Sequence, residues 1–328
     1  MIISSIYALL AAGSWGVADF VSLVPSRRIG YYLTACFLQL VGFVEVSVYV
    51  LFVNPSALSL ASSFPKLFIV TIVVGILGFM SILFLLRGFS KGVMSVVSPI
   101  SSTYPVITIL LSVIFLSATL SGIEALGIAA LLTGIVLAGI KISELRRPRT
   151  NFDLPSPSGG FSNPKPFAAL QKTGSSESGS SNKWITKGVG SALGTSLCAG
   201  VLFFGLGFVT PSLGYILPVI VMKGAASLAS IALLSPLKQK FQVPEMKLTL
   251  LLVGLGVLDA MGLIFFNLGI FTAGSSLPIV VTISSMGTVL TIILARTFYK
   301  EKLDLIQYLG IVVLLAGLSV VLYFSSIS

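Results

Sequence analysis

Ten apolar segments follow one another along the chain. Each is close to the length of about 20 residues that an α-helix needs to cross the hydrocarbon core of a bilayer. The short alternation of apolar and polar residues that marks the strands of a membrane β-barrel is absent. The pattern predicts an all-α integral membrane protein with ten transmembrane helices. These helices are predicted at residues 3–23, 30–53, 67–87, 92–116, 121–141, 185–209, 212–235, 247–272, 276–298 and 304–325.

A single long polar stretch, residues 142–184, separates the fifth predicted helix from the sixth. It is rich in proline and contains a run of glycine and serine from Gly174 to Ser181. Such a composition cannot bury a hydrophobic core, so we expect a disordered linker. The linker divides the chain into two predicted five-helix units, residues 1–141 and 185–328.

The second unit repeats the first. Residues 126–128, Leu-Gly-Ile, reappear as residues 309–311, which is a shift of 183 residues. Membrane proteins built from two copies are often transporters, because a site between two halves can open to either side when the halves rock. The same shift carries Ser101 onto Ser284, Ser102 onto Ser285 and Thr108 onto Thr291.

Composition supports a membrane protein and argues against an enzyme. The 328 residues are 55% hydrophobic and 9% charged, whereas soluble domains carry about 25% charged residues. Histidine is absent and the two cysteines lie in apolar segments. We therefore predict no catalytic residues, no metal site and no cofactor, and the sequence holds no phosphate-binding loop for ATP.

The net charge of +10 reflects membrane topology. Of the 20 Lys and Arg residues, 18 lie in the odd-numbered connections, and only Lys66 and Lys223 lie elsewhere. Basic residues accumulate on the cytoplasmic side of membrane proteins. We therefore predict a multi-pass protein of the cell membrane with a cytoplasmic linker, both termini outside and no nucleic-acid partner.

Three stretches resemble the EamA-type family of the drug/metabolite transporter superfamily. They are Trp15-Gly16-Val17-Ala18-Asp19-Phe20, the fourth-helix stretch 96–106, and residues 298–310 between the ninth and tenth helices. The resemblance implies an inverted five-plus-five repeat, a central pocket and transport of a small metabolite. Three features depart from that family. Ser117-Ala118-Thr119 stands where a Gly-Glu pair is expected, the linker is long, and known relatives place both termini in the cytoplasm.

Four charged residues fall clearly inside predicted spans and not at their ends: Asp19, Glu45, Lys223 and Asp259. A charge at the bilayer centre costs about 2.5–3.5 kcal/mol, so each must face protein or water. Lys223 and Asp259 lie near the middle of adjacent antiparallel helices and so come to the same depth. They form either a structural ion pair or a binding site, in which Lys223 meets an anionic substrate group and Asp259 is its exchangeable counter-ion.

The other two charged residues also have two interpretations each. Asp19 shares a helix face with Trp15, which suits either a pocket lining or a packed helix interface, and Arg27 or Arg28 could neutralise it. Glu45 has no basic partner at its depth, and a membrane carboxylate that exchanges a proton is what proton coupling requires. We predict Glu45 and Asp259 as coupling carboxylates.

Hydroxyl groups cluster on the fourth and ninth predicted helices, each of which contains a proline. Proline frees a backbone carbonyl of the preceding turn, and hydroxyls can bind a polar ligand. Alternatively, the hydroxyls bond back to their own helix. The candidate binding residues here are Ser98, Ser101, Ser102, Tyr104, Thr282, Ser284 and Ser285.

Taken together, the sequence predicts a secondary active transporter of a small polar metabolite, amino-acid-like or drug-like, that is ion-coupled or an exchanger. A passive facilitator or channel of the same fold, or a sugar-type transporter, are the alternatives. The expected partners are the small-molecule substrate and the lipid bilayer, and the chain acts as a monomer or a homodimer.

Overall fold

The computed structural model describes residues 2–91, 94–118, 120–139, 182–238, 244–273, 277–299 and 305–327. Within these ranges all regular secondary structure is helical, which confirms the predicted all-α class. Seven helical segments are long and apolar enough to cross a membrane. Three further apolar helical stretches, Gly122–Leu137, Leu217–Ala232 and Leu305–Val321, are shorter.

The helices of the first half follow the predicted segments closely. They are α1 (Ile2–Arg28), α2 (Tyr31–Val53), the short α3 (Ser59–Ser63), α4 (Pro65–Lys91), α5 (Met94–Ser101), α6 (Tyr104–Phe115) and α7 (Gly122–Gly139).

The helices of the second half begin inside the predicted linker. They are α8 (Asn182–Leu213), α9 (Leu217–Ala232), α10 (Met246–Ala273), α11 (Leu277–Ser284), α12 (Gly287–Tyr299) and α13 (Leu305–Ile327). Residues 182–184 thus belong to α8, and the rest of the predicted linker, 142–181, lies outside the described residues.

The fourth and ninth predicted helices are broken, whereas the sequence predicted them continuous. The breaks fall at residues 102–103 and 285–286, which the 183-residue shift superimposes. At each break the backbone tightens to a three-residue spacing: Thr103 N–H donates to Ile100 O at 3.2 Å, and Met286 N–H donates to Ile283 O at 3.1 Å. In the first half, Pro105 follows the break directly and has no N–H with which to continue a regular helix.

The two halves pack against each other through equivalent contacts. Helix α1 packs along α10, and its counterpart α8 packs along α4. In the same way α2 contacts α10 while α9 contacts α4, and α1 contacts α12 while α8 contacts α6. The last helices, α7 and α13, pack directly on each other. Each of these three contacts therefore recurs with the halves exchanged.

Large apolar side chains cover the outer surface. Phe52, Leu126 and Leu305 are 83%, 71% and 82% exposed, respectively. A soluble monomer rarely exposes apolar patches larger than a few hundred Å², so these surfaces fit a lipid solvent. Buried polar side chains include those of Gln39, Lys223 and Asp259.

Candidate functional site

A cavity of about 160 Å³ lies between the two halves. Its wall is formed by α1, α2, α4, α5 and α6 from the first half and by α8 to α12 from the second. Ten of the twelve residues predicted for the site line this cavity: Trp15, Asp19, Ser98, Ser101, Ser102, Tyr104, Lys223, Asp259, Ser284 and Ser285.

Thr282 and Glu45 lie outside the cavity wall. The Thr282 hydroxyl is fully buried and donates to the carbonyl oxygen of Pro278 at 2.7 Å, four residues earlier on the same helix. Glu45 lies on α2, and its buried Oε2 atom has no hydrogen-bond partner among the described residues. The structure therefore places both residues outside the wall, although Glu45 lies within electrostatic range of Lys223 and Asp259.

Lys223 and Asp259 form an ion pair in the cavity wall. The Lys223 ammonium on α9 lies 2.5 Å from Oδ2 of Asp259 on α10, and both residues are buried. Lys223 Nζ also donates to Oε1 of Gln39 on α2 at 3.2 Å. Both oxygens belong to the protein, so this ammonium already has two acceptors without any ligand.

Gly42 makes room for the Lys223 side chain. A Cβ at Gly42 would lie 3.1 Å from Cε and 3.2 Å from Nζ of Lys223, tighter than ordinary packing contacts. Gln39 and Gly42 are three residues apart, so they share the face of α2 that meets α9. The sequence analysis did not predict either contact with Lys223, because neither residue is charged and the packing of α2 on α9 cannot be read from the sequence.

Asp19 faces the cavity, and no described residue, Arg27 and Arg28 included, pairs with its carboxylate or donates a hydrogen bond to it. The Ser22 hydroxyl donates only to the backbone carbonyl of Asp19, at 2.7 Å. Asp259 lies within electrostatic range of Asp19. The cavity therefore contains two carboxylates and one ammonium, and the ammonium is already engaged by Asp259.

Aromatic rings stand beside these charges. The ring centroid of Phe203 on α8 lies 5.5 Å from that of Trp15 and 4.8 Å from that of Tyr104, and all three rings line the cavity. The Trp15 indole N–H donates to the backbone carbonyl of Asp259 at 3.4 Å, which ties α1 to α10. Phe203 was not predicted, because it is one of 22 phenylalanines and carries no distinguishing signal.

Hydroxyls related by the repeat differ in their bonding. Ser284 donates to the carbonyl oxygen of Ala8 at 3.4 Å, whereas the buried hydroxyl of its counterpart Ser101 has no partner among the described residues. Ser102 donates to Ser98 O at 2.9 Å and also bonds the Thr288 hydroxyl, and Ser285 donates to Thr282 O at 2.7 Å. Hydrogen bonds to their own helix thus satisfy the hydroxyls of Ser102 and Ser285, whereas the Ser101 hydroxyl has no partner among the described residues.

The described part of the chain contains no group of three acidic or cysteine side chains close enough to hold a metal ion. The wall of the cavity offers charged, aromatic and hydroxyl side chains.

Comparison with known proteins agrees with this architecture. The model of the EamA-like transporter family matches residues 2–140 and 186–323, once for each half. A solved structure described as "Crystal structure of protein" is 15% identical, with a TM-score of 0.63 over 97% of this chain and 94% of that chain. At that identity the likeness concerns the fold alone. No curated protein matches.

Proposed function

We infer that this chain, which belongs to the EamA-like transporter family, is a secondary active transporter of a small polar metabolite, driven by a coupled ion or by exchange. Family membership indicates a membrane transporter of the drug/metabolite type. The substrate class, the coupling and the multi-pass location in the cell membrane are our proposals.

The cavity between the halves is the observation that carries this proposal. Both repeats contribute to its wall, and its charged side chains come from α1, α9 and α10. Transporters built from two repeats bind their substrate at the repeat interface and rock one part against the other. The equivalent contacts of the halves support an inverted five-plus-five arrangement, in which the three shorter helices also cross the membrane.

The size of the cavity limits the substrate. A closed cavity of about 150 Å³ binds benzene, and the cavity here measures about 160 Å³. We therefore expect substrates of about six to eight non-hydrogen atoms in this conformation. That range includes small amines and small amino acids.

The helix breaks support a binding role for this region. Ser101 ends α5 and Ser102 lies in the break that follows it. In the same way, Ser284 ends α11 and Ser285 lies in the break before α12. All four residues line the cavity. Breaks in membrane helices occur where backbone groups are buried in protein or line a cavity, and transporters place their sites at such breaks.

A thermal-shift screen against a metabolite library tests whether the cavity binds a ligand. A ligand that binds only the folded state raises the apparent stability. We expect a shift for the native protein and none for Ala199→Phe, which places a ring into the cavity that Ala199 lines. The matched control is Ala129→Phe, on the exposed face of α7. Equal shifts in all three proteins would place the ligand elsewhere.

Transport itself is tested with that ligand in proteoliposomes. Labelled ligand should enter vesicles preloaded with unlabelled ligand, and a proton gradient should drive accumulation above equilibrium if protons are coupled. Equilibration that no gradient of protons, ions or second metabolites can drive uphill would indicate a passive facilitator instead.

A further inference from the structure

We propose that the cavity selects a small organic cation, an amine or a quaternary ammonium ion, and that Asp19 is the acceptor for its positive charge. This proposal rests on the proposed function of the cavity and names the substrate class that the cavity takes.

The unpaired ionisable group of the cavity is a carboxyl group. Lys223 is held at 2.5 Å by Asp259 and at 3.2 Å by Gln39, so binding an anion would require breaking an ion pair that is already formed. Asp19 has no such partner among the described residues and faces the cavity. Breaking the buried Lys223–Asp259 pair would leave a charge without its partner. A cation placed beside Asp19 would instead provide a partner for a carboxylate that has none among the described residues.

No other charged or titratable group of the cavity wall compensates Asp19. The groups that face it are Asp259 from α10, Lys223 from α9 and Tyr104 from α6. The wall residues described on α2, α4, α5, α8, α11 and α12 contribute no charged or titratable side chain. Since Lys223 and Asp259 neutralise each other, one carboxylate remains for the ligand.

The aromatic rings suit the same ligand. Trp15 precedes Asp19 by four residues, so the two side chains lie on one face of α1. Phe203 joins Trp15 and Tyr104 into one aromatic wall, with ring centroids 5.5 and 4.8 Å from its own. The faces of aromatic rings attract ammonium groups, and aromatic walls recognise quaternary ammonium ligands.

Ser101 provides a place for a second polar group on the ligand. Its hydroxyl is buried in the cavity wall and has no hydrogen-bond partner among the described residues. A hydroxyl group on the cation would satisfy this buried atom. The combination favours an amino alcohol over a purely apolar amine.

The test uses choline and its uncharged counterpart 3,3-dimethylbutan-1-ol, which have the same shape and differ by one atom and one charge. We expect choline to raise the thermal midpoint of the native protein at concentrations at which the alcohol has no effect. Equal shifts for the two compounds would overturn the proposal. This comparison needs no substituted protein, so it does not depend on whether a variant folds.

Variants then locate the acceptor. Asp19→Asn should raise the Kd for choline at least tenfold, and Phe203→Leu at least threefold, since the ring contributes less than the full charge. Glu245→Gln, which removes a charge from an exposed position at the start of α10, should leave the Kd unchanged. An unchanged Kd in folded Asp19→Asn would contradict the assignment.

Failure of this proposal is distinguishable from failure of the proposed function. A neutral or anionic ligand that stabilises the native protein, and not Ala199→Phe, would overturn the selection of a cation while leaving a ligand-binding cavity in place. Glycine betaine, which adds a carboxylate to the same quaternary group, should bind more weakly than choline. Tighter binding of betaine would show that Lys223 is available to anions and would overturn the proposal.

Discussion

The Thr108 hydroxyl on α6 donates a hydrogen bond to the backbone carbonyl of Gly200 on α8, at 2.9 Å. Its repeat counterpart Thr291, on α12, donates to the carbonyl of Gly16 on α1 at the same distance of 2.9 Å. Both bonds join the second part of a broken helix in one half to the first helix of the other half. The broken helices are therefore fixed to the opposite repeat at two related points on either side of the cavity.

Glycine is required at both of these contacts. A Cβ at Gly16 would lie 2.5 Å from the carbonyl oxygen of Gly287, and one at Gly200 would lie 2.5 Å from Cβ of Ile107. We expect Gly16→Ala and Gly200→Ala each to destabilise the folded protein by about 1–3 kcal/mol, the usual effect of overpacking. Reversible denaturation in mild detergent measures this change.

The same two helices provide matched controls. Gly13 on α1 and Gly190 on α8 have nothing within 4 Å of an added Cβ. We expect Gly13→Ala and Gly190→Ala to be neutral or to stabilise by up to about 1 kcal/mol, the advantage of alanine in a helix. If all four alanine variants behaved alike, helix propensity and not close packing would govern these positions.

Substitutions in the Lys223–Asp259 ion pair separate its effect on stability from its effect on transport. Lys223→Met or Asp259→Leu alone should destabilise by about 3–5 kcal/mol, because each leaves one buried charge without its partner. The double variant should regain most of that stability, since no unpaired charge remains. Thermal midpoints of the three purified variants measure these changes.

Transport by the double variant decides which role the pair has. If Lys223 and Asp259 take part in binding or coupling, the folded double variant should be inactive in proteoliposomes. Full activity of that variant would mean that the pair only stabilises the helices. The hydroxyl groups of the broken helices and Asp19 would then carry the binding.

Glu45 is predicted to couple transport to protons. Its buried Oε2 has no partner among the described residues, and Lys223 lies within electrostatic range. Glutamine has nearly the same shape but cannot gain or lose a proton. We expect Glu45→Gln to abolish accumulation driven by a proton gradient while exchange of labelled for unlabelled ligand continues, with exposed Glu245→Gln as the control. Retention of proton-driven accumulation would remove Glu45 from the coupling step.

The orientation of the chain is predicted from charge alone. Because 18 of the 20 basic residues lie in the predicted odd-numbered connections or within three residues of them, we expect both termini outside the cytoplasm. A fluorescent protein that matures only in the cytoplasm should stay dark when fused after Ser328, and a reporter active only outside should be active there. Bright fluorescence in intact cells would reverse the orientation while leaving the fold unchanged.

The linker is predicted to carry no structure that folding requires. Replacing residues 145–180 by a Gly/Ser segment of equal length should leave the yield of folded protein and the transport rate near those of the native chain, because this composition buries no core. Size-exclusion chromatography measures the yield of folded protein, and the proteoliposome assay measures the transport rate. A large loss of folded protein would show that the segment contributes contacts.

The sequence by itself determined the class of the protein and its repeat. The length of an apolar run, the absence of histidine and the 183-residue shift are properties of the chain alone, and lipid solvent forces such runs into helices. It also identified Asp19, Lys223 and Asp259, because a charge within an apolar run is conspicuous wherever the helix is placed. The division at residues 141 and 185 remains a prediction.

Only the tertiary structure decided which polar side chains have hydrogen-bond partners. Gln39 reaches Lys223 across 184 positions of sequence, and Ser284 reaches the carbonyl of Ala8 across 276, whereas Ser101 finds no equivalent partner among the described residues. Two serines in matching positions of a repeat look alike in sequence. Their roles differ because hydrogen bonding depends on which distant helix lies within about 3 Å, and helix packing alone sets that distance.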